Sequence, residues 1–360
     1  MYIDLDDLQA LTRLDSAHSL EDTVNYSRQF KKAWQLARQW TGEFSRQEIK
    51  RVLILGTGGG SAAAAALLGA YLFDELAAPL TLNQGYTIPA GIDCHTLAIV
   101  ISYSGMTREI LAAYEKVKAT GAQIAIITAG GELLDKARRD GHRLLVIPGG
   151  KMPRLALGYI FLSLLGLLQH LGLISSQEAA VQETIKLLAD LAEEYAPGVN
   201  NANNLAKTMA LEMMGHIPVI YGTLPFTDAV ARRWKNQFGE NSKLMAFCNS
   251  FPALHHDEAN GWDASPDHLE HFYFTFLEDA EDGQENSRRM DISYDILSRR
   301  AVAVRKVSSR GSSRLARLFS LVYLGDFITL YLALARGIDP TPVGVIDEIK
   351  RLMMVANPKR

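Results

Sequence analysis

Ser102, Ser104 and Thr107 crowd hydroxyl groups into the point where the apolar run Ile99-Val100-Ile101 gives way to a helical pattern from Glu109 to Lys118. That pattern predicts a strand ending where a helix begins. The first amides of a helix lack intrahelical partners and lie at the positive end of its dipole. Neutral hydroxyl donors gathered around such amides suit an anion, above all a phosphate. The loop contains no lysine and lacks the Walker spacing, so it is not a nucleoside-triphosphate loop. Serines that only cap the helix are the plainer alternative.

A second glycine-rich turn, Gly56-Thr57-Gly58-Gly59-Gly60-Ser61, follows the short apolar run Arg51–Leu55 and leads into an alanine-rich helix expected over Ala62–Leu76. Glycines here could serve a tight turn alone. A dinucleotide fingerprint needs an acidic residue about twenty positions on, at the end of a second strand. Asp74 and Glu75 fall inside the expected helix instead. The turn is better suited to letting a sugar's hydroxyls or phosphate approach the backbone. His255-His256-Asp257-Glu258 and His268-Leu269-Glu270-His271 offer imidazoles and carboxylates, but no His-Glu-x-x-His spacing is present. No metal site is expected.

The full Ser-x-Ser-Gly-x-Thr pattern at a strand end resembles the phosphate loop of the SIS (sugar isomerase) domain family. Further segments resemble one branch of it in matching order. Pro153-Arg154-Leu155-Ala156-Leu157-Gly158-Tyr159 is similar to a Pro-Arg-x-Ala-x-Gly-Tyr element. Gln237-Phe238-Gly239-Glu240-Asn241-Ser242-Lys243 is similar to Gln-x-x-Glu-Asn-x-Lys, and Phe251 through Trp262 to Phe-Pro-x-Leu-x-His-x-Glu-x-x-Gly-Trp. Asp326-Phe327 through Ala333, then Gly337–Val343 and Ile346–Lys350, resemble its C-terminal signature. The branch is the bifunctional phosphoglucose/phosphomannose isomerases, and the resemblance runs from about residue 51 to 352.

That resemblance implies a cofactor-free aldose–ketose isomerase acting on hexose 6-phosphates. It implies Glu240 as the base that shuttles a proton between C2 and C1, and Arg154 as the cation that stabilises the enediolate. His256, with Lys350, would open the sugar ring, and His256 would come from the neighbouring subunit of a homodimer. Gly58, Gly59, Gly60, Ser61, Ser102, Ser104 and Thr107 would hold the phosphosugar. A small residue at Thr341 would let both C2 epimers in. Taken singly, each of these residues has an ordinary reading: a surface carboxylate, a loop-capping arginine, a loop histidine, a last-turn lysine. Their joint occurrence is what raises them. The chain also departs from the pattern. Met106 stands where the family has Asn, Gly239 stands before the base where it has Asn, and Gly-Thr-Gly-Gly-Gly-Ser replaces Gly-Met-Gly-Gly-Ser. The serine hydroxyl is therefore moved one place later, to Ser61, or lost.

These residues need a scaffold. Apolar runs alternate with helical patterns over Leu97–Ser102, Gln123–Thr128 and Arg143–Ile147, and again over Ile217–Gly222 and His271–Leu277. Such alternation predicts an α/β fold of two SIS-type subdomains, each a parallel sheet flanked by helices. The expected division is an N-terminal helical segment over 1–50, a first domain over 51–175, and a second over 176–360 with long apolar helices in Ser312–Arg336. Among 360 residues, 48% are hydrophobic and the net charge is −3, which leaves no basic field for nucleic acid. Cys94 and Cys248 cannot form a disulfide framework, and a cytoplasmic home is expected. The acidic opening Asp4, Asp6, Asp7 is unlike a signal peptide. Leu155–Ile174 and Phe319–Ala335 are apolar enough to suggest membrane spans. Polar Gln169 and His170, and ionisable Asp326, point to burial in protein instead. Two rivals stand beside the isomerase: an amino-sugar phosphate isomerase, and a non-catalytic phosphosugar sensor, which would not need a base at Glu240.

Overall fold

The computed structural model describes residues 2–40, 48–300 and 303–355. The end of the expected N-terminal segment, 41–47, lies outside the described residues. Before it come α1 (Leu8–Leu14), α2 (Ser19–Val24) and α3 (Tyr26–Ala37). Asp7 caps α1 by accepting the Ala10 amide at 3.0 Å. In α3, Phe30, Ala33, Trp34 and Ala37 recur at helical spacing and are buried.

The first half runs β1 (Arg51–Leu55), α4 (Ala63–Tyr71), β2 (Leu80–Asn83), β3 (Thr96–Ser102), α5 (Arg108–Lys118), β4 (Gln123–Thr128), α6 (Gly131–Asp140) and β5 (Arg143–Val146). The strands are parallel in the order β2-β1-β3-β4-β5. Every residue of β3 is buried, because helices cover both faces of the sheet. Helices α7 (Leu157–His170), α8 (Glu178–Tyr195) and α9 (Leu205–Glu212) lead to the second half.

There β6 (Ile217–Thr223), α10 (Thr227–Glu240), β7 (Phe247–Phe251), α11 (Leu254–Asp257), α12 (Pro266–Leu269), β8 (Phe272–Glu278), α13 (Gln284–Ser298) and β9 (Ala303–Ser308) follow. Their parallel order is β7-β6-β8-β9. The chain closes with α14 (Arg314–Ala335) and α15 (Gly344–Val355). The protein is thus an α/β molecule with two parallel sheets flanked by helices. In each sheet the winding reverses beside a central strand, between β1 and β3 and between β6 and β8. Crevices at the carboxyl ends of strands at such reversals are where α/β sheets take ligands.

One apolar cluster ties the halves together. It joins Phe30 of α3, Phe161 of α7 and Phe319 of α14 with Ile54 and Ile220 from the two sheets. The Phe319 ring meets Phe30 and Phe161 edge-on at 4.6 and 4.8 Å. All residues of Leu315–Ala335 are buried. Among the described residues α14 is the one helix long and apolar enough to cross a membrane, and protein covers it on all sides.

Some local expectations need correction. The helix expected over Ala62–Leu76 begins earlier, as a π-turn over Gly58–Ala62, and its α-helical part ends at Tyr71. The apolar helices expected in Ser312–Arg336 are a single helix. Strands β2, β7 and β9 escape hydrophobic patterning. They are short or at sheet edges, and polar groups such as Asn249, Ser250, Arg305 and Lys306 interrupt them.

Candidate active site

The loop after β3 keeps its hydroxyls off the helix. Ser102 Oγ and Thr107 Oγ1 share a hydrogen bond of 2.9 Å, and Ser104 Oγ accepts the Met106 amide at 3.2 Å. Thr107 is the N-cap of α5, yet no side chain caps the helix. Its first amides therefore keep the donors that an anion requires. Gly105 holds a φ of +68°, and a side chain there would collide with the Gly130 carbonyl. Two glycine corners, Gly105 and Gly131, thus interlock beneath the loop.

The turn after β1 lies across the same crevice, because β1 and β3 are neighbours with Leu55 level with Val100. Gly58 has a φ of +74° and starts the π-turn. A turn of this kind holds one residue more than an α-turn, which accommodates the extra glycine. Ser61 follows inside it, 5% exposed and close against Gly56. Each glycine has its own neighbour. A methyl group on Gly59 would overlap Oε1 of Glu240, and one on Gly60 would fall 2.5 Å from the Pro153 carbonyl oxygen.

Glu240 ends α10 and is partly exposed, with Oε2 3.6 Å from Nη1 of Arg154. Arg154 is 1% exposed. Its Nε donates to Asn241 Oδ1 at 2.7 Å, and Nη2 donates to the carbonyls of Pro340 and Thr341 at 2.8 and 3.2 Å. Burial lowers the Arg154 pKa and the Glu240 carboxylate opposes that fall. A guanidinium starts so high that it stays charged. The result is a fixed cation facing a carboxylate, the pairing that enediolate chemistry needs. Thr341 thereby enters the site through its backbone.

Sequence reading gave no role to four residues that build this site. Lys243 Nζ donates to the carbonyls of Glu240 and Pro340, at 2.6 and 2.8 Å. Burial and the nearby Arg154 bring the Lys243 pKa down to about 8. Arg233 and Asp326 form an ion pair of 3.0 Å beneath the turn, and Gln237 Nε2 also donates to Asp326. Lys243 and Asp326 stood in the quoted motifs, but no spacing rule showed what they touch. A cavity of about 860 Å³ opens beside Gly58, Gly59, Glu240 and Lys243.

Of the expected site residues Gly58, Gly59 and Glu240 line that cavity, whereas Gly60, Ser61, Ser102, Ser104, Thr107, Arg154, Thr341, His256 and Lys350 do not. His256 is exposed on α11, beyond the edge strand β7. His255 and His256 occupy a helical turn, and His255 meets Ser293 and Arg289 at 2.7 and 3.0 Å. Lys350 lies on α15, 64% exposed, with Asp347 as its ion partner at 3.4 Å. Val345, Ile346, Ile349, Leu352 and Met353 on the same helix are also exposed.

Comparison with known proteins matches the sequence to a family. The SIS domain family matches residues 47–138, and the bacterial phospho-glucose isomerase C-terminal SIS domain family matches residues 202–353. The bifunctional phosphoglucose/phosphomannose isomerase of Caldicellulosiruptor bescii is 42% identical over 330 residues, covering 92% of this chain and 97% of that protein. The protein of the same name from Aquifex aeolicus is 33% identical over 272 residues, 76% of this chain and 80% of its own length. Among solved structures, a glucose-6-phosphate isomerase like protein from Thermus thermophilus superposes with a TM-score of 0.62 at 18% identity, over 97% of this chain and 99% of that one, a likeness of fold. Taken with the order of its motifs and the Arg154–Glu240 pair, the chain belongs to the family of bifunctional phosphoglucose/phosphomannose isomerases.

Proposed function

We propose that this protein interconverts glucose 6-phosphate, and mannose 6-phosphate, with fructose 6-phosphate through a cis-enediolate, without a cofactor. The observation that carries the reading is the Arg154–Glu240 pair, held at 3.6 Å beside a cavity in a chain of this family. The substrate phosphate binds the free amides of α5 with Ser102, Ser104 and Thr107, and the turn Gly58–Ser61 closes over the sugar. Glu240 removes the proton from C2 and returns it to C1. Arg154 stays charged throughout and stabilises the oxygen on which negative charge grows.

Ring opening needs a separate acid and base, for which His256 and Lys350 are our candidates. His256 faces solvent, outside the cavity. That position suits donation to the site of a second copy in a homodimer. The exposed apolar face of α15 suits burial in the same assembly. We divide the chain at about residues 50 and 175, each larger part carrying one sheet. The two free cysteines suit a reducing cytoplasm.

The test is a coupled assay of purified protein with fructose, glucose, mannose and glucosamine 6-phosphates, with and without chelator. Interconversion of the first three that survives chelation is expected. Glu240→Gln should lower kcat by about two to four powers of ten, the usual worth of a general base. Wild-type turnover in that variant, or no interconversion by the native protein, overturns the assignment.

A further inference from the structure

We propose that the buried pair Arg233–Asp326 is a positioning device, which fixes the backbone carbonyls of Gly59 and Arg154 and thereby sets the separation of Glu240 from the Arg154 guanidinium. The proposal rests on the roles given above to Glu240 and Arg154.

Arg233, Gln237 and Glu240 recur at i, i+4 and i+7, so they share one face of α10. From that face Arg233 reaches three chain segments. Nη1 donates to the Gly59 carbonyl at 2.6 Å, and Nη2 donates to the Arg154 carbonyl at 2.9 Å. Nη2 also lies 3.0 and 3.1 Å from the two Asp326 oxygens, where α14 crosses beneath. Gln237 Nε2 donates to the same carboxylate at 2.9 Å. Both ends of the catalytic pair are therefore tied to one guanidinium. The Gly59 backbone is the surface on which the Glu240 carboxylate rests, and the Arg154 carbonyl belongs to the residue whose side chain faces it.

Stability alone gives little reason for such a pair. Arg233 is 1% and Asp326 4% exposed. Stripping two charges of water is costly, and apolar residues of equal volume often serve a core as well or better. A planar guanidinium does what they cannot: it spans two carbonyls and a carboxylate in one rigid fork. The geometry it enforces crosses from the second half of the chain to the first, where a displacement of about 1 Å can cost a hundredfold in rate.

The experiment compares wild type with Asp326→Asn, Arg233→Lys and the double variant Arg233→Met/Asp326→Leu. Steady-state kinetics on fructose 6-phosphate, thermal unfolding and crystal structures are the readouts. In the single variants kcat should fall about ten- to a hundredfold with KM changed less than about threefold. The double variant should regain wild-type thermal stability without regaining kcat. A purely structural pair would instead restore kcat along with stability, and that result overturns the proposal. So does wild-type kcat in Asp326→Asn. Should Asp326→Asn fail to fold, Arg233→Lys carries the same comparison. If the native enzyme turns over no hexose phosphate, the functional reading fails, and the positioning claim is then read from the crystals alone. A Glu240–Arg154 separation unchanged in the single variants refutes it; a wider one upholds it.

Discussion

Glu240 lays its carboxylate against the α-carbon of Gly59, so closely that a methyl group there would overlap Oε1. The next glycine meets backbone instead, the carbonyl of Pro153. Adjacent substitutions should therefore separate. Gly59→Ala displaces a side chain that is partly exposed and can swing away, so kcat should drop by about a hundredfold with thermal stability nearly intact. Gly60→Ala forces two backbone segments apart and should cost stability, roughly 1–3 kcal/mol as overpacking does. Equal losses of stability in both variants, measured by denaturant unfolding, would contradict this account.

Ser104→Ala with Thr107→Ala should weaken phosphosugar binding and leave the fold in place. Ser104 is exposed, and among the described residues the Thr107 side chain bonds Ser102. Each neutral hydrogen bond lost is worth about 1 kcal/mol. Calorimetric titration with a non-isomerisable 6-phosphate should show affinity about ten- to thirtyfold lower in the double variant. Unchanged affinity would place the anion elsewhere.

Mixing two inactive homodimers tests whether the site is shared. Glu240→Gln and His256→Ala subunits, allowed to exchange, form mixed dimers in which one site has both residues and the other neither. With equal amounts and full exchange, about half of the dimers are mixed, each with one working site. Recovery of activity is expected. No recovery, with exchange verified by differently tagged subunits, would mean that His256 serves its own chain.

Lys243 should set an alkaline limit on turnover. Its ammonium holds the carbonyls of Glu240 and Pro340, and burial brings its pKa down to about 8. Above that pH the charge-assisted bonds weaken. The kcat profile should fall with an apparent pKa near 8, and Lys243→Arg, which stays charged, should move that limb upward. The sign of the linked stability is opposite. The folded pKa lies below the unfolded value of about 10.4, so the unfolded chain binds more protons between the two. This group's contribution to stability rises with pH across that window, so its titration cannot unfold the protein there. A profile identical in wild type and Lys243→Arg would remove Lys243 from the site.

The central strands and the strand-to-helix join over Ser102–Thr107 were legible because their signals are local. A β-branched run, a glycine and a helix start fall within a few residues, as in Ile99–Glu109. The motifs around Arg154 and Glu240 were legible as well, and they carried the family. Edge strands were not, since β2, β7 and β9 owe their conformation to neighbours that pair with them, and their own residues lack a clear pattern. The π-turn at Gly58–Ala62 likewise depends on what it packs against: Glu240 comes from a residue 181 positions beyond Gly59, and Pro153 from another segment again.

By itself, then, the sequence determined the α/β class and the family, and it singled out the Ser102–Thr107 loop, Glu240 and Arg154 as candidates, because these rest on residue type and short spacing. Only the tertiary structure decided that Arg154 faces Glu240, that Arg233 and Asp326 lie beneath both, and that His256 and Lys350 stand outside the cavity. Those facts depend on long-range packing of α10 and α14 against the first half, where the free energy of burial, summed over a shared core, selects contacts that no local pattern encodes.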